Sequence, residues 1–93
     1  MNLNQTVIPS PDVISQEVSG ETVLLDLESE NYFGLDAVGT RIWQLIRDNG
    51  DLRTIYNTLL EEYEVEGPQL EDDLEALLTD ACARGLITLR DAP

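Results

Sequence analysis

Up to Leu35 the apolar residues of this chain come in short runs with strand spacing, and from Asp36 onward they recur every three or four residues, as on a helix face. The change of period falls at Asn31-Tyr32-Phe33-Gly34-Leu35, which reads as a short strand with a usable edge. Before it, Glu21 to Leu27 carries Val23, Leu24, Leu25 and Leu27 in a run too short for a comfortable helix, and Glu28-Ser29-Glu30 supplies a polar turn. The 93 residues suffice for one small domain and not for a second core. The fold class that follows is α+β, a three-stranded antiparallel sheet followed by a three-helix bundle.

Residues 1–11 are polar, with Pro9 and Pro11, and predict a flexible N-terminal arm. The domain proper is expected over 12–89, with 90–93 as a C-terminal tail. Val13 to Val18 predicts the first strand, and Ser19-Gly20 a two-residue hairpin into Glu21 to Leu27. Alternation puts Val23, Leu25 and Leu27 on one face and Thr22, Leu24 and Asp26 on the other. The first set is the better core candidate, leaving Leu24 exposed. In the last strand Phe33 and Leu35 share one face and Tyr32 and Gly34 the other. A glycine inside a strand packs nothing, but it lets another backbone approach closely.

Asp36 is a candidate N-cap for a first helix with Val38, Ile42, Trp43, Leu45 and Ile46 on its apolar stripe, stopped by Asn49-Gly50. Asp51 can cap a second, which buries Leu52, Ile55, Tyr56, Leu59, Leu60 and Tyr63. Gly67-Pro68 opens a third, striped with Leu70, Leu74, Leu77, Leu78, Ala81 and Cys82 and ended by Gly85. Leu86 to Leu89 folds back as a short extended cover.

Five arginines and no lysine stand against nineteen acids, a net charge of −14. Phosphate backbones and anionic membrane surfaces would be repelled, which argues against nucleic-acid and membrane partners. No signal-peptide pattern and no apolar run of spanning length is visible, so a cytoplasmic location is expected. Cys82 is the single cysteine and histidine is absent, so no internal disulfide, Ser-His or Cys-His pair, or histidine-metal site can be assembled. The adjacent carboxylates Glu61-Glu62 and Asp72-Asp73 point about 100° apart on a helix and read as a solvated face. Isolated glycines give no phosphate loop. Neither catalytic activity nor a cofactor or metal is expected.

Four segments taken together resemble the PqqD family: Val23-Leu24-Leu25-Asp26-Leu27, Asn31-Tyr32-Phe33-Gly34-Leu35, Val38-Gly39-Thr40-Arg41-Ile42-Trp43 and Ala83-Arg84-Gly85-Leu86-Ile87. The resemblance implies a winged helix-turn-helix-like peptide-recognition element for ribosomally synthesised, post-translationally modified peptides. In such proteins a precursor's leader peptide adds as an antiparallel strand and lies in the groove beside the third helix. Carried over, the peptide-binding edge is Asn31, Tyr32, Phe33, Gly34 and Leu35, and the facing helix supplies Asp73, Leu77, Asp80, Ala81 and Arg84. The implied partners are the leader peptide and either a leader peptidase and cyclase of a lasso-peptide pathway or a radical S-adenosylmethionine enzyme of pyrroloquinoline quinone synthesis. The aromatic-Gly-Leu strand and the Gly-Thr-Arg-Ile-Trp helix resemble the lasso type more closely.

An unpaired edge also invites a homodimer through strand pairing. Two other functions compete. A winged-helix regulator would press Glu71, Asp72, Asp73, Glu75 and Asp80 against phosphates of the same sign. An acidic carrier protein would need a serine at a helix start, whereas Ser10, Ser15, Ser19 and Ser29 all precede the helices. For leader binding, Gly34→Pro is the expected disruptive change and Glu62 a neutral surface position.

Overall fold

The computed structural model describes residues 2–91. In chain order it contains β1 (Thr6–Pro9), β2 (Val13–Val18), β3 (Glu21–Asp26), β4 (Asn31–Leu35), α1 (Ala37–Asp48), α2 (Leu52–Glu62), α3 (Gly67–Ala83) and β5 (Ile87–Arg90). β2, β3 and β4 form an antiparallel meander in that spatial order, followed by the three helices, so the fold is α+β as the change of period predicts. The first hairpin turns on Ser19 and Gly20, both at positive φ (53° and 82°), the conformation that a tight two-residue loop between twisted strands requires. The second turn is organised by Asp26, whose carboxylate accepts from the Glu28 N–H at 3.1 Å and the Ser29 hydroxyl at 2.8 Å.

Each of the first two helices starts where a short acidic side chain can satisfy its free N–H groups. The Gly39 N–H donates to Asp36 Oδ1 at 2.8 Å, and the Thr54 N–H and hydroxyl donate to Asp51 Oδ2 at 3.2 and 2.6 Å. α3 begins at Gly67 with Pro68 one residue in, a position where the missing N–H costs nothing. The core gathers Ile42, Trp43 and Ile46 of α1, Leu52, Ile55 and Leu59 of α2, and Leu70, Leu74 and Leu78 of α3, closed by Leu24, Leu86 and Ile87.

The sheet packs on these helices through the face opposite to the one its leucines predict. Leu24 is buried, with Thr22 and Asp26 beside it, whereas Val23 and Leu27 stand exposed. Counting apolar side chains favours the wrong face because both faces carry them. The inner face of β3 is settled by Asp26, whose burial its turn hydrogen bonds offset, and by Leu24, the β3 side chain that enters the helical core beside Phe33 and Leu35. Val38 is likewise exposed rather than on the core stripe of α1, and Gly39 and Thr40 take the buried positions there.

The expected N-terminal arm is not an arm over its second half. Thr6–Pro9 is a strand paired antiparallel with β5, with Val7 opposite Leu89 and buried in the core. Thr6-Val7-Ile8 is β-prone, and Pro9 ends the strand where its missing donor does little harm. The strand is pinned from the helical side as well. The Val7 N–H donates to the Gly50 carbonyl at 2.7 Å, and a Cβ on Gly50 (φ +79°) would lie 2.5 Å from the Val7 carbonyl oxygen. The extended cover after α3 is the other half of this two-stranded sheet. Of the expected tail, Arg90 belongs to β5, and Ala92 and Pro93 lie outside the described residues.

Candidate functional site

β4 is an edge strand, and its ladder determines which of its backbone groups are free. The Leu27 N–H donates to the Asp12 carbonyl at 2.9 Å, extending the β2–β3 ladder one pair past Val13 and Asp26. N–H and C=O groups of successive strand residues point to opposite edges, so Thr22, Leu24 and Asp26 direct theirs toward β4. Their partners Leu35, Phe33 and Asn31 point back at β3. Tyr32 and Gly34 therefore turn their N–H and C=O groups to the outer edge, where no strand lies among the described residues. A Cβ on Gly34 would meet nothing within 4 Å, so the glycine relieves no crowding in the unbound chain.

Side chains follow the same alternation. Phe33 and Leu35 are half-buried against the core, while Tyr32 is 71% exposed. At one end of the strand the Arg84 guanidinium lies over the Phe33 ring, 5.1 Å from its centroid, a cation–π contact between α3 and β4. Its Nε also donates to Asp80 Oδ2 at 3.0 Å. Ser29, Asn31, Tyr32, Phe33 and Arg84 line an open depression there. At the other end Leu35, Leu77 and Ala81 meet Gly39 and Ile42 around an apolar slot of about 30 Å³. Beyond it, Asp73 and Leu77 border a larger, mainly apolar cleft of about 310 Å³ with Asp36, Val38, Tyr63 and Val65. Edge and helix stripe thus run side by side, from the Arg84 depression past Leu35 to the Asp73 cleft.

Of the sequence-predicted residues, two line none of these depressions: Gly34, which offers only backbone at the open edge, and Asp80. Its carboxylate points at Arg84, and its influence on the groove is through that guanidinium. Asp73 does border the cleft, holding the Gln69 amide by an Nε2 to Oδ1 bond of 3.0 Å. Sequence reasoning missed Val38, Tyr63 and Val65. Val38 has the spacing of the core stripe, but the buried Gly39-Thr40 pair takes that side of α1 and turns Val38 outward.

Glu62, expected to be a neutral surface position, is engaged. Arg41 Nε and Nη2 donate to its two carboxylate oxygens at 2.7 and 2.6 Å, a two-pronged bridge from α1 to the end of α2. That hydrogen bonding raises the Arg41 pKa and holds the Glu62 carboxyl below its ordinary value.

A larger cleft, about 500 Å³, lies elsewhere, between α1 and the β2 side of the sheet. Its polar groups are largely bonded to one another: the Gln44 amide donates to Glu17 at 3.0 Å and Arg47 to the Ser15 hydroxyl at 2.9 Å. Among the described residues no group of three or more His, Cys, Asp or Glu side chains could hold a metal ion, and no helix is long and apolar enough to cross a membrane.

Residues 21–87 match the family model of coenzyme PQQ synthesis protein D (PqqD), a span that contains the whole of β3, β4 and the three helices. No curated protein matches the chain. Two solved structures do. TbiB1 in complex with the TbiA(beta) leader peptide is 38% identical, over 86% of this chain and 93% of that one, with a TM-score of 0.83. A lasso peptide synthetase B1 complexed with its leader peptide is 28% identical, over 89% and 98%, with a TM-score of 0.80.

Proposed function

The chain belongs to the PqqD family, and from that membership we propose that it binds the leader peptide of a ribosomally synthesised precursor as an added strand on β4. The observation that carries the reading is the pair of outward-turned residues, Tyr32 and Gly34, on an open edge that runs beside the α3 groove. A peptide strand laid antiparallel there satisfies their four backbone groups. Its alternate side chains drop toward Phe33 and Arg84 at one end and Leu35, Leu77 and Ala81 at the other. Main-chain bonds supply affinity and the depressions supply selectivity.

The chain acts as an adaptor, not as a catalyst, holding the precursor for an enzyme that acts elsewhere on it. A lasso-type leader peptidase and cyclase are favoured over a radical enzyme because both similar solved structures hold leader peptides and one is a lasso peptide synthetase B1. A second copy pairing through β4 would occupy the same edge and compete with the peptide.

Fluorescence anisotropy with labelled TbiA(beta) leader peptide tests the reading. Gly34→Pro removes an outward N–H without touching the β3–β4 ladder, and it is expected to weaken binding at least ~10-fold, about 1.4 kcal/mol. Gly34→Ala, for which there is open space, and Glu61→Ala on the solvated side of α2 should bind within ~3-fold of the parent. Circular dichroism shows that each variant is folded. Equal binding by folded Gly34→Pro, or no leader binding by the parent chain, would overturn strand addition at β4.

A further inference from the structure

The outer face of the β2-β3-β4 sheet, away from the helices, has no cover among the described residues and is mostly apolar. Register places Ile14 and Val18 of β2, Val23 and Leu25 of β3, Leu27 just beyond it, and Tyr32 of β4 on that one face. All but Leu25 are exposed, from 43% at Val23 to 71% at Tyr32. An antiparallel sheet that faces water on one side ordinarily alternates apolar-in with polar-out, whereas this outward face carries six large apolar or aromatic side chains, with Gln16 and Glu21 as the polar members within its strands. Contiguous exposed apolar patches of this kind mark interaction sites.

We infer that this face is a docking surface for one amphipathic helix with basic margins, belonging to the enzyme that acts on the bound precursor. The inference rests on the leader-binding reading for the identity of the partner, and on the sheet alone for its chemistry. Size comes first. Three strands at ~4.8 Å spacing and six residues of ~3.4 Å give a footprint about 10 Å across and 20 Å long. That is the width of one helix and the length of about 13 helical residues.

A second copy of this chain is the poorer fit. A stable dimer buries about 800 Å² per partner, and this face offers on the order of a few hundred. Charge points the same way. The first basic residue in the sequence is Arg41, so the three strands carry no basic residue of their own, while register puts Glu21 on this face and Asp12 opposite Leu27 at its end, with Glu28 and Glu30 exposed in the adjoining turn. Two such rims repel, whereas lysines and arginines flanking an apolar stripe are attracted. Position also fits an enzyme of the same pathway, because Tyr32 belongs both to this face and to the open edge of β4. A helix seated here lies next to the leader without covering its backbone partners.

The test uses a synthetic 14-residue Leu/Lys peptide with leucines at i, i+3, i+4 and i+7, and a scrambled peptide of the same composition. Nitrogen-15 NMR should place the striped peptide's shifts on Ile14, Val18, Val23 and Tyr32. The neutral, strand-compatible double variant Ile14→Thr/Val23→Thr should weaken it at least ~10-fold, and saturating TbiA(beta) leader should leave its affinity within ~3-fold. Equal binding of the scrambled peptide, or no effect of the double variant, would overturn the proposal as mere charge attraction. A sedimenting dimer that the double variant abolishes would assign the face to a second copy. Displacement by the leader would assign it to the leader site. Absence of leader binding sinks the β4 reading alone, since the helix arm is measured separately.

Discussion

The two residues on which most rests, Gly34 and Glu62, differ in what a sequence can say of them. Gly34 is flagged by its type, since a glycine inside a strand invites a reason, and its register supplies one: its N–H and C=O face the open edge. Glu62 carries no such flag. It is one acid in a run of them, and only the fold brings the Arg41 guanidinium against it from 21 residues away. The bridge predicts a pH dependence. Glu62's folded pKa is lowered, so its contribution is present above the unfolded carboxyl value and is lost as pH falls through the folded value. Glu62→Gln should therefore lower the thermal midpoint at pH 7 slightly, and the difference from the parent should vanish as the pH drops below the carboxylate range. Thermal melts of both proteins across that range measure it, and a difference that persists at acid pH would assign the loss to packing instead.

Among the elements, helices were legible to within a residue or two, because each carries both a periodic stripe and a chemical cap. Asp36, Asp51 and Gly85 mark ends that the structure uses as such. Strands were less so. The inner face of β3 was misassigned because Val23, Leu25 and Leu27 outnumber Leu24, and such a failure is expected where an outer face is kept apolar for a partner. β1 was missed because its pairing partner, β5, is some eighty residues away, and the nearby prolines dominate any local reading. Its weight is testable. Val7 is only 2% exposed, so Val7→Ala should cost about 2 kcal/mol in urea unfolding, by loss of buried apolar area and the cavity left behind. A flexible arm would give a change near zero.

At the level of the molecule, what matters is where the charge lies relative to the groove. Residues 61–80 carry nine acids and no base, five of them (Glu71, Asp72, Asp73, Glu75 and Asp80) on α3, which puts Asp73 on the cleft itself. Arg84, the cation that lies over the strand's Phe33, already bridges to Asp80, so it neutralises its own corner only. An approaching peptide therefore meets a field of one sign, which acts on encounter more than on the final contacts. Two versions of the TbiA(beta) leader peptide, extended by three lysines or by three glutamates outside the strand-forming segment, separate the two effects. At ~10 mM salt, where the Debye length is about 30 Å, the lysine version should associate about tenfold faster or more in stopped flow. By ~1 M salt, with screening over about 3 Å, the two association rates should converge while the dissociation rates remain alike throughout. A rate difference that survives high salt would mean the lysines make direct contacts, and identical rates at low salt would leave the acidic surface as a solubility device without a part in capture.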